Sequence, residues 1–236
     1  MEINLLSILV IGFILGIKHA MEPDHVIAVS TMVSDTKKLL SSSIIGVFWG
    51  IGHTITLFIV GMVFIFMKNE IPGEIALFLE FAVGVMLVYL GIKSYVFAEK
   101  NHIHSHKHTH NDILHEHFHE ENINHQHDNS KIPYFKSIFI GLVHGLSGSA
   151  AMILLTMTSV KHSWQAGIYI IIFGLGTISG MLLCTILIGI PFALSNENKR
   201  MNVNLSRAAG IISSMYGVYY MYDLGINQGL FSILFN

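Results

Sequence analysis

Seven consecutive residues near the amino terminus, His19-Ala20-Met21-Glu22-Pro23-Asp24-His25, set two imidazoles, two carboxylates and a thioether inside an apolar run. INLLSILVIGFILGI precedes them and VIAVSTMV follows, so about Ile3 to Val33 reads as membrane-embedded. Each ionisable side chain at bilayer depth costs roughly 2.5–3.5 kcal/mol on insertion scales, and such residues mark ion paths and proton relays. Neutral imidazoles with one or two carboxylates suit Ni(II), Co(II) or Zn(II). Ca²⁺ and Mg²⁺ prefer all-oxygen shells, and Cu(I) prefers sulfur, for which Met21 offers one thioether.

Five histidines lie outside the central loop: His19, His25, His53, His144 and His162. His162, beside Lys161 at a span end, reads as an interface residue. His53 stands in WGIGHT, where Gly50 and Gly52 allow a neighbouring helix to approach closely. One such histidine is ordinarily explained by a hydrogen bond between helices, but four with two carboxylates are not. On an unbroken helix His19 and His25 would point about 120° apart, while Glu22 and His25 would share a face. Pro23 removes a backbone hydrogen bond and favours a break at the motif. Such a break lets His19, Asp24 and His25 converge, with His53 and His144 as partners. Lys18 is a candidate counter-ion for Asp24 or Glu22, and Glu80 an intramembrane carboxylate near a span end. GLSGSA, from Gly145 to Ala150, reads as a close-packing run whose Ser147 and Ser149 are alternatively hydroxyls lining a passage.

The surrounding chain must position these groups within a membrane. Of 236 residues, 52% are hydrophobic and 12% charged, with mean hydropathy +0.59. Soluble domains carry about 25% charged residues. A net charge of −2 argues against a nucleic-acid partner. The single Cys184 excludes an intramolecular disulfide, and there is no phosphate-binding G-x-x-x-x-G-K-[ST] loop. The N-terminal MEINLL lacks the basic start of a signal peptide, so the first helix is expected to be retained. Spanning about 30 Å takes about 20 helical residues, which predicts six spans: 3–33, 41–67, 74–98, 134–158, 164–194 and 204–224. The first, at about 1.5 Å per residue, would reach about 46 Å and must tilt or break. Pro191 is expected to end or kink the fifth. Nine basic residues fall on one side and two, Lys68 and Lys161, on the other, so both termini are expected outside and the long loop in the cytoplasm.

That loop divides the chain into 1–98, a first three-helix membrane repeat, 99–133, a His-rich linker, and 134–236, a second repeat. The linker carries ten histidines: His102, His104, His106, His108, His110, His115, His117, His119, His125 and His127. Its low apolar content predicts disorder without metal, and its H-x-H spacing predicts weak, auxiliary metal binding. GIKHA (Gly16–Ala20) matches GLVHG (Gly141–Gly145) at an offset of 125, which makes His19 and His144 equivalent. Gly52 matches Gly176 at 124, and Gly84 and Gly91 match Gly210 and Gly217 at 126. Three spans per half is an odd number, so the second half must insert upside down. The expected fold is therefore an all-α integral membrane protein of six transmembrane helices in two inverted three-helix repeats, with a broken first helix.

His-x4-Asp-His in HAMEPDH resembles the signature of the nickel/cobalt transporter family (NiCoT). With GIGHT (Gly50–Thr54), VHGLSGSA (Val143–Ala150), six spans and a histidine loop, the chain is similar to the UreH-like branch of that family. The resemblance implies that His19, Asp24 and His25 bind the metal in transit and that His53 lines the same route. Glu22 and His144 complete the expected metal set. The larger family members have eight spans, and a six-span efflux branch also carries a histidine loop. The expected function is movement of Ni²⁺ or Co²⁺, with Zn²⁺ a further candidate, across the cell membrane, uptake being preferred to efflux. The expected partners are the metal ion, membrane lipid, and cytoplasmic nickel-delivery or urease/hydrogenase maturation proteins. Enzyme readings are weaker. A serine protease at Ser147 needs a base on another helix, histidine-box oxygenases keep their boxes at the cytoplasmic face, and a thiol carrier needs two cysteines. A metal-sensing subunit is the remaining alternative.

Overall fold

A computed structural model describes residues 5–34, 36, 38–67, 72–100, 106–110, 113–117, 132–147, 163–195 and 198–235. The helices are α1 (Leu5–His19), α2 (Pro23–Val33), α3 (Leu39–Met67), α4 (Gly73–Lys100), α5 (Ile132–Ser147), α6 (Ser163–Leu194), α7 (Lys199–Tyr222) and α8 (Leu230–Phe235), with a π-helical turn at Asp223–Asn227 before α8. Three are long and apolar enough to cross a bilayer alone: α3, Gly73–Glu99 of α4, and α6. The pair α1 and α2, bent by 56°, passes the same test jointly, as a broken span or a re-entrant loop. The membrane-embedded part is thus all-α and multi-pass. Side chains such as Leu6, Ile14, Leu183 and Leu187 are exposed on its outer surface, where lipid would solvate them.

Helix α6 runs through Pro191 to Leu194, where the fifth span is expected to end. Helix α5 ends its described course at Ser147, and the rest of the expected fourth span, to 158, lies outside the described residues. The 24-residue α7 is long enough to span, but its first turns carry Arg200, Asn202, Asn204 and Arg207 and leave it more polar than the others. In the linker, where disorder is expected, β1 (His106–His110) pairs antiparallel with β2 (Ile113–His117), His106 opposite His117 and His110 opposite Ile113. The alternation of histidine with other residues has the period of a strand, which explains the difference. Of the other loop histidines, His102, His104, His119, His125 and His127 lie outside the described residues.

Helix α2 occupies the centre, against α4, α6 and α7. Its Ala28, Val29 and Val33 share one buried cluster with Trp49, Leu87 and Met181. Around it, helices meet backbone to backbone at glycines, as close packing in lipid requires. A Cβ at Gly16 would strike the Phe173 carbonyl and one at Gly176 the Phe13 carbonyl, joining α1 to α6. The α5–α3 contact repeats this: Gly141 meets the Trp49 carbonyl and Gly52 the Ile138 carbonyl. Adding 125 to Phe13 and Gly16 gives Ile138 and Gly141, and subtracting 124 from Phe173 and Gly176 gives Trp49 and Gly52. Likewise Gly91 meets the Gly210 carbonyl and Gly217 the Gly84 carbonyl across α4 and α7. These contacts between the halves come in matched pairs.

Candidate metal centre

The centre begins where α1 stops. The Ala20 amide still bonds the Gly16 carbonyl, but those of Met21 and Glu22 reach back only to Lys18 and His19 (3.0 Å each), tightening the last turn. Glu22 is extended (φ −63°, ψ 148°), the conformation that a following proline imposes. Pro23 opens α2, where its missing N–H is one of the groups a helix start leaves unpaired anyway. Proline here starts the second helix and so fixes where the bend falls. Helix α6 holds the break: Gly180 lies against the Ala20 methyl, and the buried Cys184 thiol donates to the Ala20 carbonyl (3.7 Å).

Four elements then deliver their side chains to one place. His19 comes from the end of α1, Asp24 and His25 from the first turn of α2, His53 from mid-α3 and His144 from α5. His19 Nε2 lies 3.1 Å from His53 Nε2, and His19 Nδ1 lies 3.0 Å from a Glu22 carboxylate oxygen. Asp24 spans two imidazoles: Oδ1 accepts from His25 Nδ1 and Oδ2 from His144 Nε2, each at 3.0 Å. The His25 ring touches all three others, with centroids 4.6 Å from His19, 5.1 Å from His53 and 4.2 Å from His144. Trp49 and Phe173 wall the cluster, Trp49 edge-on to His144 at 5.4 Å and Phe173 5.6 Å from His19. His25, His53 and His144 are buried, and Glu22, half exposed, marks the open edge.

This arrangement has the parts of a metal site. Two groups have ligand atoms within 4.8 Å of one another: His19, His25 and His53; and Asp24, His25 and His144. Two nitrogens bound at about 2.0–2.1 Å to one ion stand about 2.9 Å apart at a right angle and about 3.3 Å apart in a tetrahedron. The 3.1 Å between His19 and His53 falls in that interval. Carboxylates on the far ring nitrogens, Glu22 on His19 and Asp24 on His25, are the usual outer partners of metal-binding imidazoles, fixing tautomer and orientation. Both rings then carry a lone pair on Nε2. His25 Nε2 and His53 Nδ1 are buried with no hydrogen-bond partner among the described residues, an expensive state for a polar atom that a bound ion would relieve at His25.

Of the residues expected from sequence, His19, Glu22, Asp24, His25, His53 and His144 are brought together. Lys18 is exposed, and the carboxylates pair with imidazoles instead of with it. Met21 is 58% exposed and turned out of the cluster. Glu80 accepts from Tyr220 (3.1 Å) between α4 and α7. The side chain of Ser147, along with Ser149 and His162, lies outside the described residues. The sequence reading missed Trp49, Phe173 and Cys184. Trp49 precedes His53 by one helical turn, and Phe173 is its counterpart at the offset of 124, so the repeat could have found both walls.

The family model described as cytochrome C biogenesis protein transmembrane region matches residues 73–219. The chain is 51% identical over 232 residues to a protein of Bacillus sp. (strain TB-90) named urease accessory protein UreH, covering 98% of each. No solved structure matches.

Proposed function

Since the chain belongs to the family of the urease accessory protein UreH and carries the cytochrome C biogenesis transmembrane region, we propose that it carries Ni²⁺ or Co²⁺ across the cell membrane. The observation that carries this reading is the convergence of His19, His25, His53 and His144 on Asp24 at a break between two membrane-embedded helices. The relative's name ties it to urease, and imidazole-rich sites suit nickel and cobalt, with zinc a competitor. Uptake is the preferred direction. The bias of basic residues supports both termini outside and the histidine linker in the cytoplasm, where it would buffer metal or pass it to urease-maturation proteins. Reciprocal glycine contacts in the two halves support an inverted-repeat plan of six spans, in which sites lie near the midplane between halves. A thiol-exchange role would need a second cysteine beside Cys184.

The ion would shed water to the imidazoles, which bind it in their neutral form, while Asp24 and Glu22 offset its charge. Cellular uptake of radioactive nickel tests this. His19→Ala and Asp24→Ala should abolish it, and deletion of 102–127 should leave it. Loss on loop deletion with transport intact in the site variants would move the function to the linker. Lower cell-associated nickel with greater resistance would assign export.

A further inference from the structure

The two donor groups share one residue, and that residue has only one lone pair to give. We propose that they are alternating stations of a relay, with His25 passing a single ion between them. This deepens the transport reading and rests on it. In the first station His19 Nε2 and His53 Nε2 stand 3.1 Å apart, and His25 Nε2 is the buried nitrogen without a hydrogen-bond partner among the described residues. In the second, Asp24 faces His25 Nδ1 and His144 Nε2 at 3.0 Å each. A neutral imidazole carries its proton on one nitrogen and its lone pair on the other. With the proton on Nδ1, donated to Asp24, His25 can serve only the first station. With the proton on Nε2, it can serve only the second. Opening the second station also moves the His144 proton from Nε2 to Nδ1. Each ring keeps one proton throughout, so the handover changes no net charge.

The pairing of stations with halves gives the relay a direction. His19 and His144 are equivalent at the offset of 125, and each belongs to one station only. If the halves are inverted, exchanging them turns the bilayer over. The His19 station and the His144 station then face opposite membrane surfaces. Glu22, half exposed beside His19, sits at the mouth of the first.

The test uses the full chain in lipid nanodiscs, with Ni²⁺ as the probe. High-affinity binding, resolved from the weak linker histidines by competition with a chelator, should saturate at one ion per chain; two tightly bound ions would mean that His25 bridges as an imidazolate, and would overturn the relay. His53→Gln removes a ligand from the first station and His144→Gln from the second. Each should still bind one ion while nickel uptake into proteoliposomes falls at least 100-fold. X-ray absorption should count three imidazoles in His144→Gln and fewer in His53→Gln. Identical spectra for the two variants, or wild-type uptake by either, would refute two stations. Monodisperse elution of each variant excludes misfolding, and the shorter His→Asn versions provide a second pair. If His25→Ala and Asp24→Ala also transport normally, the transport site itself is misassigned, a result distinct from failure of the relay.

Discussion

Asp24→Asn isolates what the carboxylate does for the imidazoles. The two side chains have nearly the same shape, so packing in the first turn of α2 should survive. Asp24 accepts one N–H from His25 and one from His144, both at 3.0 Å. An amide offers one oxygen and presents its NH₂ where the other oxygen stood, so one imidazole loses its acceptor and meets a donor. A hydrogen bond to a charged group is worth about 1.5–3 kcal/mol. At about 1.4 kcal/mol per factor of ten, losing one weakens the arrangement by roughly 10–150-fold. Substitutions of the outer partners of metal-binding histidines cost about 10–100-fold in affinity, which agrees. Nickel affinity measured by competition with a chelator of known strength should therefore fall by between one and two decades, with uptake at limiting nickel falling in parallel. Affinity and uptake within twofold of wild type would show that Asp24 neither orients His25 and His144 nor stabilises the cation, and the second donor group would lose its basis.

Other substitutions follow from the same geometry. Glu22→Gln keeps an oxygen for His19 Nδ1 at the exposed edge, so nickel affinity should change less than about threefold, whereas Glu22→Ala should cost about tenfold; chelator competition distinguishes them. Gly176→Ala drives a methyl into the Phe13 carbonyl, while Gly73 has nothing within 4 Å. Overpacking costs about 1–3 kcal/mol, so thermal unfolding in detergent should come earlier for Gly176→Ala and be unchanged for Gly73→Ala. Cys184 is buried with its thiol on the Ala20 carbonyl; a membrane-permeant maleimide should leave it unmodified in native membranes and label it after denaturation in detergent.

The site was legible in sequence because the membrane makes polar residues expensive: His19, Asp24 and His25 in an apolar run, and His53 and His144 in others, had few structural excuses. Which carboxylate serves which ring was not legible. Helical spacing pairs Glu22 with His25, yet Glu22 bonds His19 and Asp24 bonds His25, because the helix stops before Glu22 and restarts at Pro23. A rule that assumes continuous turns fails where the turn is absent. The linker shows the opposite case. Its composition argued for disorder, but the alternation of histidine with other residues also has the period of a strand, and the register of β1 with β2 follows that period.

The glycines show how far a weak repeat can be pushed. Single matches at offsets of 124–126 carry little weight in a chain with 21 glycines. What gives them weight is that matched glycines strike matched carbonyls: Gly16 on Phe173 and Gly141 on Trp49, Gly176 on Phe13 and Gly52 on Ile138. Independent packing accidents would not reproduce the partner along with the glycine. The same exchange carries Phe173, the wall beside His19, onto Trp49, the wall beside His144. It therefore relates the surroundings of the two histidines as well as the histidines themselves. Asp24 and His25 fall on Ser149 and Ala150 under the same offset of 125. The second half thus lacks their ligating groups, so both donor groups must borrow α2 of the first half. Under the proposed inverted repeat, one His25 shared between two equivalent histidines would follow from duplicating the frame without duplicating the ligands.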